Sequence, residues 1–255
     1  SFSPNLQEKK SKFKLNPRIN ENPYLDNQLK QLEMQFNATK QRLQNKFGTQ
    51  KFIVYFQSFT NTYAPFSTLK ALYEKALSFD NVIGLSIGTR TDCVTDEILD
   101  YLVDLSKDKE IWIEFGIQSF FDETLININR GDTSSNMKYW INRSKEKGLN
   151  VCGHLIYGLP NETQEMMLET FRQTVELKVD SIKFHPLYVV KNTLLTNEFK
   201  KGRFTPISEE LYIDTVVKSI KILPENISIQ RITAGINDST LLSPDWCRDK
   251  HTQMK

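Results

Sequence analysis

Short apolar runs alternate with amphipathic segments along most of this chain, at intervals of about 30 residues. Strands that alternate with helices form right-handed βαβ units and pair into a parallel sheet. Six strands are too few for a complete eight-stranded barrel, so the fold class is α/β, with a partial parallel barrel or a doubly wound sheet. The predicted strands are Phe52–Phe56, Val82–Ile87, Ile111–Ile117, Val151–Ile156, Ser181–Phe184 and Ile227–Ile232.

The segments outside the strands carry helical signals. Asp26 precedes a helical stripe of Leu and Phe residues and is expected to cap the first helix. Thr95 is expected to cap another helix, and Gly148 to end one. The predicted helices are Asp26–Lys46, Pro65–Phe79, Thr95–Ser106, Asp122–Ile128, Ser134–Lys147, Thr163–Leu177 and Ser208–Leu223.

The first 24 residues are rich in Lys, Asn and Pro and lack apolar periodicity, which indicates a poorly structured lead-in. We predict two parts: residues 1–48, the lead-in and first helix, and residues 49–255, the barrel. The net charge of +2 demands no nucleic-acid partner. A local set of basic residues could contact phosphates, although a solvated face and a flexible tail explain it slightly better: Lys9, Lys10, Lys12, Lys14, Arg18, Lys30, Lys40, Arg42 and Lys46.

The sequence predicts a cytoplasmic protein. No apolar run approaches the ~20 residues of a membrane span, and no signal peptide is visible. The three cysteines, Cys93, Cys152 and Cys247, lie far apart, which argues against a disulfide framework and against compact metal-ligand patterns. We expect Cys93 and Cys152 to be buried as small hydrophobic residues. A nucleophilic pair of Cys152 with His154 remains an open alternative.

Polar residues stand at the exits of all six predicted strands. In both α/β architectures the active groups collect at the carboxyl ends of the strands, so this distribution predicts a site there. No phosphate-binding loop, dinucleotide fingerprint, nucleophile elbow or zinc-protease pair competes with it. The candidate residues are Gln57, Thr60, Asn61, Thr62, Thr89, Arg90, Glu114, Gln118, His154, Tyr157, Gly158, Leu159, His185, Lys191 and Arg231.

Four motifs resemble those of the radical S-adenosylmethionine (radical SAM) enzymes, in the branch that contains the catalytic subunit of Elongator. A bacterial-type family of that branch is a closer likeness still, through Tyr55–Thr62, Gly-Leu-Pro-x-Glu-Thr, His185–Lys191 and Arg231–Thr233, and the resemblance covers about residues 50–250. The four Elongator-like motifs are Gly88–Cys93, in which Thr91 replaces a proline; Glu114–Ser119; Asn129–Asp132, in which Asp132 replaces a histidine; and His154–Pro160.

The resemblance implies S-adenosylmethionine (SAM) and a 4Fe–4S cluster as cofactors, and an electron donor such as flavodoxin or ferredoxin. It places residues 60–62 at the SAM amino group, Gln118 with Glu114 at the ribose, and the backbone of residues 157–159 at the adenine. Gln57, Thr89 and Arg90 complete the expected cofactor-binding set. The cluster cysteines are absent from this sequence, so we expect them in a loop upstream of Ser1 and expect no radical chemistry without it. Natural loss of the cluster is the alternative.

The same resemblance implies reductive cleavage of SAM to a 5′-deoxyadenosyl radical that abstracts hydrogen from a substrate. A tRNA is the first candidate substrate, and a small molecule such as a porphyrin is the second. The candidate substrate contacts are His154, His185, Lys191 and Arg231, and no catalytic residue is assigned. A protein of another class, a cluster-less barrel that binds SAM, a nucleotide or a partner, stays open.

Overall fold

The structure is a computed structural model that describes residues 22–236 and 238–248. The predicted lead-in, residues 1–24, lies almost wholly outside these residues. The helices are α1 (Leu25–Phe47), α2 (Phe66–Leu77), α3 (Asp96–Ser106), α4 (Asp122–Asn127), α5 (Ser134–Glu146), α6 (Gln164–Glu176), α7 (Leu194–Lys200) and α8 (Glu209–Lys221). The strands are β1 (Phe52–Phe56), β2 (Val82–Thr89), β3 (Glu110–Gln118), β4 (Asn150–Tyr157), β5 (Ser181–Pro186), β6 (Val189–Val190), β7 (Ser228–Arg231) and β8 (Leu241–Ser243).

Six of the strands form one sheet in the order β1-β2-β3-β4-β5-β7, which is also their order in the chain. The pairs β1/β2, β2/β3, β4/β5 and β5/β7 are parallel. Helices connect the consecutive strands, as βαβ units require. The predicted α/β class and all six predicted strands are therefore confirmed. The division into a lead-in of residues 1–48 and a barrel of residues 49–255 stays a prediction.

The described chain divides into two compact units, and the first holds the residues up to Phe115 together with Arg143–Asn150. In it, Val54 of β1 lies opposite Leu85 of β2, and Leu85 lies opposite Ile111 of β3. These aliphatic side chains are buried on one face of the sheet. Removing this apolar surface from water supplies most of the stability of the unit.

The second unit holds Gly116–Asn142 and the residues from Val151 onward. Leu155 of β4 lies opposite Phe184 of β5, and both side chains are fully buried. The ring of Phe171 on α6 stacks on Phe184 with centroids 5.9 Å apart. The ring of Tyr157 lies 5.3 Å from Phe184, so an aromatic cluster forms the centre of this core.

Helix caps follow the sequence signals with one exception. The hydroxyls of Thr95, Thr163 and Ser208 accept hydrogen bonds from the third backbone N–H after each of them, which starts α3, α6 and α8. The expectation that Asp26 caps the first helix is wrong. Tyr24 precedes α1 and makes no side-chain cap, and Asp26 lies inside the first turn, where its negative charge favours the helix dipole.

Three short elements of the structure were absent from the prediction. Strands β6 and β8 pair antiparallel in a small separate sheet, with Val189 opposite Ser243. Helix α7 follows β6 and begins after Thr193, whose hydroxyl caps it. In the part of the chain that the structure describes, no helix combines the length and the apolar character that crossing a membrane requires.

Candidate functional site

The sheet in the first unit has one apolar and one polar face. Side chains of paired residues in a parallel sheet point to the same side. Tyr55 pairs with Ser86, and Gly88 pairs with Glu114, so these polar side chains share the face opposite Val54 and Leu85. The structure therefore brings together groups from three strands that the sequence separates by about 30 residues each.

Glu114 is a buried carboxylate on this face, with only 2% of its surface exposed. Its Oε2 accepts a hydrogen bond from the Tyr55 hydroxyl at 2.9 Å, and its Oε1 accepts one from the Ser86 hydroxyl. A buried carboxylate needs such donors to offset its desolvation. Both oxygens thus have protein partners, which identifies Glu114 as a group that fixes the three strands relative to one another.

The exits of β1 and β2 are tied together by Asn61 and Thr62. The Asn61 amide donates to the backbone carbonyls of Phe56 at 3.0 Å and Gly88 at 2.9 Å. The Thr62 hydroxyl donates to the Cys93 carbonyl at 2.8 Å. Because this bond uses the Thr62 proton, the Thr89 hydroxyl, 2.5 Å away, is the donor to the Thr62 oxygen. Three of the predicted cofactor residues therefore brace the loops in which they lie.

Two other predicted residues at these exits have side-chain polar groups that bond to no described residue. Gln57 is exposed and Thr60 is half-buried, and neither side chain has a hydrogen-bond partner among residues 22–236 and 238–248. Arg90 instead makes a two-pronged pair with Asp92, with both N···O distances at 2.7 Å. Within the Thr-Arg-x-Asp sequence, Arg90 and Asp92 thus form a bidentate ion pair at the end of β2.

In the second unit, β3 ends at Gln118, which has a left-handed backbone with φ of 69°. That conformation is uncommon for a residue with a side chain. The Gln118 carboxamide is half-buried and has no protein partner in the described part of the chain. A turn of this kind with an open amide can offer one acceptor and two donors to a ligand.

Arg130 forms a hydrogen bond to the backbone of the same strand. Arg130 is 8% exposed, and its guanidinium donates to the Gly116 carbonyl within β3. Asn129 and Gly131 flank it with φ of 52° and 68°, so the Asn-Arg-Gly motif is a tight turn that turns the arginine inward. Its observed contact is with the backbone of the strand that carries Gln118.

The Gly-Leu-Pro turn after β4 also makes defined contacts. The Tyr157 carbonyl accepts from Leu187 N at 2.9 Å, and Gly158 N donates to the Met167 sulfur at 3.1 Å. Gly158 has φ of 90°, and a Cβ there would lie 2.7 Å from Ile207. Only glycine fits this backbone without displacing Ile207.

A cavity of about 370 Å³ lies beside this turn, and its walls combine apolar side chains with the polar ones of Asn161, Arg203, Thr205 and Ser208. The volume is at the lower end of the range for small-ligand pockets. Glu162 is its acidic member: burial raises the pKa of this carboxyl, whose Oε1 accepts from the Ser119 hydroxyl at 2.5 Å. Ser119 and Glu162 lie in the quoted motifs but were not among the candidate site residues. Lining residues include Gly158, Leu159, Glu162, Met167, Phe204 and Ile207.

Basic side chains share one face of β4, β5 and β7. His154 pairs with Lys183, and Lys183 pairs with Arg231. Lys183 is only 8% exposed, and it was not among the predicted site residues. The signal was present, because Ile182 and Phe184 on either side of it mark the opposite face of the strand. The predicted substrate contact Lys191 is exposed after β6, and its backbone N–H donates to the backbone carbonyl of Thr240 at 2.8 Å.

His185 follows on the same face as Lys183. Its Nδ1 lies 2.5 Å from the Pro186 carbonyl, which can only accept, so Nδ1 carries the proton and Nε2 an open lone pair. Burial lowers the pKa of His185 to about 4, with the charge of Arg231 and His154 acting in the same direction. The ring is therefore neutral at pH 7. Arg231 donates through Nε to the Phe184 carbonyl at 3.3 Å.

The residues present do not fit an iron–sulfur cluster. Cys93, Cys152 and Cys247 are all buried, which confirms the prediction for the first two. In residues 22–236 and 238–248, the three thiols do not form a common ligand group. Burial raises the pKa of the Cys247 thiol to about 12, away from the thiolate form that a cluster requires. Cluster ligands are therefore not supplied by the described residues.

Comparison with known proteins identifies the family. The family model described as the Radical SAM superfamily matches residues 25–174, and the one described as the Radical_SAM C-terminal domain matches residues 179–255. The first match covers more than half of the chain. The chain therefore belongs to the radical SAM superfamily, as its motifs predicted.

Individual relatives agree with this membership. YtqA of Bacillus subtilis is 34% identical over 89% of this chain and 70% of its own length. YhcC of Escherichia coli is 39% identical over 80% of this chain and 66% of its own length. A tRNA uridine(34) acetyltransferase of Methanocaldococcus jannaschii is 28% identical over 60% of this chain and 28% of its own. The chain thus spans about two thirds of the length of YtqA and YhcC.

The fold has a counterpart among solved structures. The structure of Elp3 from the archaeon Methanocaldococcus infernus superimposes with a TM-score of 0.71, at 22% sequence identity. The match covers 83% of this chain and 55% of that chain. The predicted partial (β/α)6-type barrel of radical SAM enzymes is therefore confirmed.

Proposed function

We propose that the protein is a radical SAM enzyme that cleaves SAM reductively to a 5′-deoxyadenosyl radical. The observation that carries this proposal is the match of residues 25–174 to the superfamily, and the polar residues at the strand exits support it. SAM, when bound, supplies the radical. The described cysteines do not hold a cluster, so the cluster and its electron donor, such as flavodoxin or ferredoxin, are expectations from the family.

The predicted SAM-binding set separates into two groups. Gln118, Gln57 and Thr60 have open polar groups and are the proposed direct contacts, with Gln118 at the ribose hydroxyls. The remaining side chains hold the loops in place through hydrogen bonds within the protein, and they are proposed to position the first group: Asn61, Thr62, Thr89, Arg90 and Glu114. Such support keeps a binding site preorganised.

The cavity beside the Gly-Leu-Pro turn supports an adenine site. Gly158 and Leu159 line it, and Met167, Phe204 and Ile207 supply apolar walls. The ring face of an adenine can pack against these apolar side chains, and its nitrogen-bearing edge can meet polar groups of the same cavity. We therefore propose that residues 157–159 contact the adenine of SAM. The Tyr157 side chain lies elsewhere: its ring is buried, and its hydroxyl lies 2.8 Å from Ser219.

A tRNA is the proposed substrate, by likeness to the Elongator branch and to the tRNA uridine(34) acetyltransferase. The described basic residues of α1 that could contact phosphates are Lys30, Lys40, Arg42 and Lys46. Charge reversal of Lys30 and Arg42, both exposed, should weaken tRNA binding and flatten its dependence on salt. Lys107→Glu, at an exposed lysine paired with Asp104, is the matched control and should bind normally.

The decisive experiment uses the complete natural protein, reconstituted anaerobically with iron and sulfide, reduced, and supplied with SAM. We expect iron and sulfide to be incorporated and 5′-deoxyadenosine to form. A protein that binds SAM but neither incorporates iron nor cleaves SAM would be a binding module, the alternative left open by the sequence. A protein that does not bind SAM at all would overturn the radical SAM proposal and leave only a module that binds a nucleotide or a partner.

The role of Gln118 has its own test. Loss of hydrogen bonds to the ribose in Gln118→Ala should weaken SAM binding, measured by calorimetry, by roughly tenfold. Gln50→Ala is the control, because Gln50 is exposed and precedes β1, at the opposite end of that strand from its exit. Equal affinities of the two variants would remove Gln118 from the proposed site.

A further inference from the structure

Three side chains at the exits of β5 and β7 form a polar group that SAM chemistry does not account for. The rings of His185 and Tyr188 pack edge to face, with centroids 4.5 Å apart. Burial lowers the pKa of His185 and raises that of Tyr188, and the positive charge of Arg231 lowers the pKa of both. Tyr188 was not a candidate in the sequence, because an isolated tyrosine after a strand carries no signal of its own.

The hydroxyl of Tyr188 is the first sign that this group has a ligand. It is buried, and among residues 22–236 and 238–248 it has no hydrogen-bond partner. Native proteins rarely leave a buried hydroxyl unsatisfied, because its desolvation is then uncompensated. By contrast, the hydroxyl of the neighbouring Tyr212 donates to the Ile232 carbonyl at 2.7 Å.

The charge of Arg231 is the second sign. Its side chain is half-buried and its Nε is occupied by the Phe184 carbonyl. No carboxylate of the described residues forms an ion pair with it. A partly buried guanidinium is usually paired, and its two Nη groups form a fork that matches the oxygens of a carboxylate or phosphate.

We propose that His185, Tyr188 and Arg231 bind an oxyanion of the substrate, a phosphate or a carboxylate. Arg231 donates its fork, Tyr188 donates its hydroxyl, and His185 presents Nε2, which accepts a proton once the anion is in place. The inference deepens the proposed function by naming the substrate class, and it rests on that function only for the statement that the anion belongs to the substrate.

The test measures anion binding directly, without SAM cleavage. The imidazole signals of His185 are followed by NMR while methyl phosphate, or acetate in a parallel titration, is added to the protein. We expect saturable shifts with at least one anion and a higher His185 pKa in its presence. The stronger binder of the two distinguishes phosphate from carboxylate. Absence of saturable shifts with both would overturn the proposal.

Two variants separate a ligand role from a structural one. Tyr188→Phe should weaken anion binding by roughly tenfold and keep or raise the melting temperature, because it removes an unsatisfied hydroxyl. Tyr212→Phe should lower the melting temperature and leave anion affinity unchanged. A fall in melting temperature for Tyr188→Phe with unchanged affinity would show that its hydroxyl is structural.

Competition with SAM tests whether the site binds the carboxylate of SAM or an anion of the substrate. If saturating SAM leaves the affinity for methyl phosphate or acetate unchanged, the site is separate from the SAM carboxylate, as proposed. Exclusion of the anion by SAM would overturn the assignment to substrate. The proposed function can fail independently: anion binding without formation of 5′-deoxyadenosine would leave this site standing and remove the radical chemistry.

Discussion

Replacing Gly158 by alanine tests how tightly the turn after β4 is built. Gly158 has φ of 90°, and an added Cβ would lie 2.7 Å from both Cβ and Cγ2 of Ile207. The left-handed backbone alone costs an alanine about 1–2 kcal/mol. Forcing a methyl group against a branched side chain costs about 1–3 kcal/mol more. We therefore expect Gly158→Ala to lose about 2–5 kcal/mol of unfolding free energy.

Gly148→Ala is the matched control. Gly148 also has a left-handed backbone, with φ of 83°, but nothing lies within 4 Å of the position its Cβ would occupy. Its substitution should cost only the backbone part. Urea unfolding of the three proteins gives the comparison, provided that the dependence on urea is the same for all. Equal losses in the two variants would refute the packing argument, because the backbone would then explain the whole effect.

The remaining predictions concern buried hydroxyls and pH. Thr62→Val removes the hydroxyl shared with Cys93 and Thr89 and should cost about 1–3 kcal/mol in urea unfolding, whereas Thr60→Val should cost little. Tyr55→Phe removes a donor to Glu114 and should destabilise by about 1–2 kcal/mol. The pKa of His185 falls from 6.5 to about 4 on folding, so the unfolded chain binds its proton more tightly. Stability should therefore drop by about 3 kcal/mol as the pH falls from 7 to 4, and His185→Gln should lack that part of the loss.

The regular part of the fold was predictable because its signals are local. Each of the six sheet strands is an apolar run, and Thr95 marks its helix start through hydrogen bonding to the next turn. Strands β6 and β8 were not predictable in this way. They contain two and three residues, which is too short for a periodic pattern to indicate a strand. Their pairing also joins segments about 50 residues apart in the chain.

The candidate site was predictable in position more than in role. Strand alternation correctly placed polar groups at the strand exits, but it does not say whether a hydroxyl faces a ligand or a carbonyl. Thr60 and Thr62 illustrate this limit: they are two residues apart, yet one is open and the other is committed to Cys93. Their difference depends on where β2 and its following turn lie, which is tertiary information.

The motif residues of this chain act largely by fixing backbone. Asn61 holds the exits of two strands, Arg130 holds the β3 backbone, and Glu162 receives Ser119 across two loops. A motif can thus be specific to a family without its side chains touching a ligand, because the loops must be rigid before they can bind one. The groups left open, Gln118 and the anion group around Arg231, are consequently the better guides to chemistry. We propose that they bind SAM at one exit and a negatively charged substrate at another, and each proposal can be tested without the other.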